Sequence, residues 1–176
     1  IGGEITLHCQ LKKEAARLRE FAGREPLGLV RRVIERATEE ALSGEAHTTL
    51  RMSRQIEALV MQLQPKLIVV THEGHAWERV SFAAARRAQP SVHCIGYQHA
   101  AVFRLQHALR RKLANEYNPD NILTAGFVSK CQLENTPGLK GIPVSVLGSN
   151  RYLKGSVTNL DQKIESTELL NNSACR

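Results

Sequence analysis

Cysteine, glycine-rich phosphate loops and long apolar runs are scarce or absent in this chain, and each shortage removes a class of protein. The four cysteines, Cys9, Cys94, Cys131 and Cys175, are scattered and no pair has CxxC spacing. That pattern points away from a disulfide framework and toward reduced thiols in a cytoplasmic protein. No apolar run approaches the roughly 18 residues that a membrane helix needs. The chain opens on Ile1 rather than Met and lacks a basic segment followed by an apolar one, so no signal peptide is expected. Neither GxGxxG nor GxxxxGK followed by Ser or Thr occurs. Their absence disfavours a dinucleotide dehydrogenase and a P-loop nucleotidase.

Acid is missing from one window. Between Arg79 and Asn115 there is no Asp or Glu, but there are seven cations: Arg79, Arg86, Arg87, Arg104, Arg110, Arg111 and Lys112. The other 17 Lys and Arg are matched by the chain's 17 acids, so the formal charge of +7 belongs to this window. Such a stretch attracts an anionic ligand, an acidic membrane surface or nucleic acid, unless it is simply a solvated helix face. Only Phe82, Tyr97 and Phe103 interleave it. Stacking platforms are therefore few, and nucleic acid is the disfavoured partner.

What is present organises into three parts. At 42% hydrophobic and 23% charged, the 176 residues read as a soluble globular chain with a real core. Residues 1–64 are mainly helical: a short strand over 4–9, then helices over 11–22, 29–42 and 49–63. Residues 65–152 alternate strand and helix. Leu67–Val70 is a wholly apolar, β-branched run, expected to be buried on both faces of a parallel sheet. Strands follow at 91–97, 121–124 and 142–147, with helices at 76–88, 105–115 and 128–134 between them. This alternation implies βαβ units and a Rossmann-like, doubly wound parallel sheet. Residues 153–176, rich in Ser, Thr and Asn, read as a linker or a poorly ordered tail.

In open α/β sheets ligands bind beyond the carboxyl ends of the strands. There the sequence offers Thr71-His72-Glu73-Gly74-His75-Ala76-Trp77-Glu78-Arg79, then Gly96-Tyr97-Gln98-His99-Ala100, Ala125-Gly126, and Gly148-Ser149-Asn150-Arg151-Tyr152. Asn118-Pro119-Asp120, before the third strand, is grouped with them. Glu73, or second Glu78, is the candidate general base for an acceptor hydroxyl. His99 is the candidate phosphate or acceptor contact. His72, His75, Trp77, Arg79, Tyr97, Gln98 and Gly126 are candidate substrate contacts, although Trp77 reads more readily as a core anchor at the helix start. His72, His75 and His99 lack the spacing of a zinc site, and no metal or cofactor is expected.

The ordered set PKLIVVTHEGHAWER, CIGYQHA, NPDNILTAG and IPVSVLGSNRY resembles glycosyltransferases of bacterial surface-carbohydrate biosynthesis. These have the two-Rossmann-domain GT-B architecture and are distantly similar to Kdo transferases and CDP-glycerol glycerophosphotransferases. The match runs over residues 65–152. His72 departs from it, standing where an aromatic is usual, as does Ala100, where Ser or Gly is common. The resemblance implies one half of a GT-B enzyme. Its partners would be a nucleotide sugar and a glycan or lipid-linked acceptor, at a cytoplasmic site next to the inner membrane. A second Rossmann domain would carry most donor contacts. A non-catalytic nucleotide- or phosphosugar-binding module is the alternative from another class.

Overall fold

A computed structural model describes residues 2–103 and 105–148. Expectations placed on Arg104, on Ser149 to Tyr152 and on the 153–176 tail lie outside the described residues. The chain divides into two compact units, residues 1–55 and 56–176.

In the first unit, helix α1 (Gly2–Arg24) packs against α2 (Leu29–Ala41). The strand expected at 4–9 is instead part of α1. Leu7, Leu11 and Ala15 are buried at a spacing of four, so Leu7 extends the helical stripe, and the short Ile5-Leu7-Cys9 alternation does not set the structure. Helix α3 (Gly44–Leu63) runs through the division. Its last turns belong with the second unit, where Ile56 and Val60 pack into the core.

The second unit is α/β and Rossmann-like. Strands β1 (Leu67–Thr71), β2 (His93–Gln98), β3 (Asn121–Thr124) and β4 (Val144–Val146) are all parallel, in the order β1-β2-β3-β4. Helices α4 (Ala76–Ala88) and α5 (Phe127–Glu134) make the first and last crossovers. Right-handed crossovers that step in one direction all fall on one face of a sheet. That face is filled by Phe82 and Ala85 of α4 on Ile68, Val70 and Cys94, and by Leu109 and Leu133 on Ile122 and Val144. The opposite face is open on β1, where Leu67 and Val69 are 46% and 55% exposed. The run Leu67–Val70 is therefore buried on one face only. It forms an edge strand, and the described order contains no reversal that would bring a crossover to its other side.

The helix expected over 105–115 does not form; turns occupy 105–110 and a 3-10 turn covers Asn115–Tyr117. The backbone groups that a helix would use are engaged elsewhere. The carbonyls of Ala108 and Arg111 accept from the Arg79 guanidinium at 3.1 and 3.0 Å. The Lys112 amide donates to Gly138 O at 3.0 Å and the Leu113 amide to Asn118 Oδ1 at 2.9 Å. Leu109, fully buried, anchors the segment in the core. Of the described cysteines, Cys9 and Cys94 are free, the first exposed and the second buried.

Candidate functional site

The turn between β1 and α4 is built around one carboxylate. Glu78 is fully buried. It accepts from the backbone amides of Glu73, Gly74 and His75 at 2.8–3.0 Å and from Thr71 Oγ1 at 3.1 Å. A carboxylate at the third helical position, reaching back over the helix start, satisfies donors that the helix leaves unpaired. Gly74 makes this turn possible: its φ is +93°, and a Cβ there would lie 2.7 Å from Leu109 N. With four donors already bound and no exposed surface, Glu78 has no lone pair to offer a substrate proton. It is the keystone of the turn and not a base.

The same turn delivers Glu73 to the carboxyl rim of the sheet, where β2 delivers His99. Glu73 Oε1 lies 3.2 Å from His99 Nδ1, with the Glu73 side chain 14% and the His99 side chain 44% exposed. Glu73 Oε1 also accepts from the Ala100 amide at 3.2 Å, and Gln106 Nε2 donates to Glu73 O at 2.9 Å. Tyr97 stacks on His99 with ring centroids 6.0 Å apart, and its hydroxyl donates to Gly148 O at 3.0 Å. His99 thus has its Nδ1 beside a carboxylate and its face against a ring. A carboxylate beside Nδ1 favours a proton on that nitrogen, which leaves Nε2 as the free acceptor.

Compared with protein-family models, curated proteins and solved structures, the chain matches none.

The remaining candidates separate into those at the rim and those beneath it. His75 is exposed at the N-cap of α4, and Trp77 is half-buried in its first turn. Gly126, at the N-cap of α5, accepts from Thr124 Oγ1, and a Cβ there would meet nothing within 4 Å. Beneath the rim, His72 and Gln98 are fully buried and do not reach solvent. His72 rests on Gly96, where an added Cβ would come within 2.9 Å of the ring, and tilts against Phe82. Burial, helped by the nearby Arg79 charge, pushes its pKa down to about 3, so it is a neutral core histidine. Neither ring nitrogen, nor Gln98 Oε1, has a hydrogen-bond partner among the described residues. Gln98 Nε2 donates to Ala100 O and so shapes the loop that carries His99.

Arg79 is 4% exposed and ties α4 to the 108–118 segment through Ala108 O, Arg111 O and Asn118 Oδ1. Other cations of the basic window are also tied to particular partners. Arg86 donates to Glu116 O and Asn118 O and pairs with Asp120 at 2.7 Å. Arg87 pairs with Glu57, Arg110 donates to Thr136, and Lys112 to Lys140 O. Arg86 and Arg87 thus meet carboxylates, whereas the acceptors of Arg79, Arg110 and Lys112 are neutral oxygens that leave the positive charge in place. Asp120 bonds the Cys94 amide at the start of β2, which places it at the amino rim, away from Glu73. Sequence reasoning missed Gln106, and it placed Thr71 and Asn118 in the rim stretches without giving either a role. Asn118 is a hub that bonds Leu113 N, Leu113 O and Ala114 O besides Arg79. Its position just before Pro119 and β3 was the available signal.

Proposed function

We propose that this chain is the α/β half of a glycosyltransferase, moving a sugar from a nucleotide-activated donor to a surface glycan or a lipid-linked precursor on the cytoplasmic side. The observation that carries the reading is the Glu73–His99 contact of 3.2 Å at the carboxyl rim of a parallel sheet, where such folds bind ligands. Transfer to a hydroxyl needs a base that takes its proton as the new bond forms. His99 Nε2 fits that task, and Glu73 fits the task of holding the ring and stabilising the imidazolium. This assigns the proton to His99 and makes Glu73 its positioning partner. Because Glu78 already fills the amides of the β1–α4 turn, a donor diphosphate is bound elsewhere than at this turn.

The test is transfer from a panel of nucleotide-activated sugars to glycan and lipid-linked acceptors by the full natural gene product. Loss of general-base catalysis costs roughly 10² to 10⁴ in rate. His99→Ala and Glu73→Gln should therefore each lose transfer by that order while circular dichroism stays unchanged. Undiminished transfer in both variants would remove the reading. Sugar-nucleotide binding with no turnover in the natural protein would favour the binding-module alternative.

A further inference from the structure

Beside the rim, between α4 and the 108–117 segment, lies a cavity of about 450 Å³. Arg79, Val80, Arg111, Leu113, Ala114 and Tyr117 line it together with smaller residues, and none of the lining residues is acidic. We infer that this cavity is a binding site for a small monoanion carried on an apolar body, with the anionic group between Arg79 and Arg111.

Two features carry this beyond the cavity itself. Arg79 is almost wholly buried, yet its bonded acceptors are two carbonyls and one amide oxygen, all neutral. A buried cation without a carboxylate partner is costly, and an anion arriving in the adjacent space would offset that cost. The nearest acid along α4, Glu78, is turned into its own cage of four donors. Second, Arg111 adds another exposed positive charge to the same cavity. Burial lowers the pKa of Arg79, Glu78 opposes that shift, and Arg111 adds to it, as expected of two like charges within reach of each other. An anion between them turns repulsion into two attractions. Val80, Leu113, Ala114 and Tyr117 make the rest of the lining mainly apolar, which suits an apolar body better than a free inorganic ion.

This site does not depend on the transferase reading, and its test is a binding measurement. Benzoate, benzyl alcohol and inorganic phosphate would be titrated into the full chain and followed by calorimetry and by amide chemical shifts. Benzoate should bind at least tenfold more tightly than either benzyl alcohol or phosphate, with shifts centred on residues 111–117. Arg111→Gln should weaken benzoate at least tenfold, and Ala114→Trp, which fills the cavity from an exposed position, should abolish it. Arg111 and Ala114 are varied because neither side chain holds the fold together, whereas Arg79 does. Equal binding of benzoate and benzyl alcohol, tighter binding of phosphate, or indifference to both substitutions would overturn the assignment.

Discussion

Two segments meet at the carboxyl rim, and they are built in opposite ways. The turn at 71–78 closes on itself: Glu78 binds Thr71, Glu73, Gly74 and His75, all within seven residues. The segment at 99–118 is held from a distance, by Arg79 some 29 to 39 residues earlier and by Gly138 well after it. The first carries its own instructions. The second takes its shape from partners that a local window never contains.

Breaking the turn should have the largest effect. Glu78→Ala leaves four donors at a buried site without an acceptor, and losses of about 3–5 kcal/mol are usual for a buried charged group removed from its partners. Urea unfolding should register a loss of that size; a loss below about 1 kcal/mol would mean that the turn does not depend on its carboxylate. Breaking the distant anchor should cost less. Arg79→Gln removes up to three bonds to a segment that keeps Leu109 in the core, so a loss of about 2–3 kcal/mol is expected. Faster amide exchange should then be confined mainly to residues 105–118. Exchange that quickens equally in β1 would show that the two segments are one cooperative unit.

His72 supplies a smaller, pH-tuned comparison. Its folded pKa of about 3 lies below its ordinary 6.5, so the unfolded chain takes up a proton first. The stability tied to its neutral form is present above pH 6.5 and is lost as pH falls toward 3. At pH 5 the loss from this residue is about 2 kcal/mol. In His72→Leu the slope of stability between pH 6 and pH 4 should flatten by about one proton. An unchanged slope would mean that His72 titrates normally.

The same contrast explains what the sequence revealed. The strands from Leu67, Asn121 and Val144 and the helix from Ala76 were legible because their periodicity and punctuation are local. So was the rim cluster, since polar residues following a strand land at its carboxyl end whatever happens elsewhere. Glu73 and His99 could be placed on one rim in advance because β1 and β2 pair in parallel, Thr71 beside Tyr97. The division of labour among those residues was not legible. Glu78 and Arg79 look as available as Glu73 in a linear reading, and only burial separates them. The 105–115 helix failed for the same reason: its composition suits a helix, but Arg79 and Gly138 claim the groups that would have closed it.

The pairing of Glu73 with His99 is the claim on which the functional reading stands. Nitrogen-15 NMR of the imidazoles, at a pH where His99 is neutral, tests it most directly. The wild-type ring should carry its proton on Nδ1, facing Glu73, with Nε2 unprotonated. In Glu73→Gln that preference should weaken toward the Nε2–H form usual for solvent-exposed histidine. A wild-type His99 protonated on Nε2, with a spectrum that Glu73→Gln leaves untouched, would contradict the account.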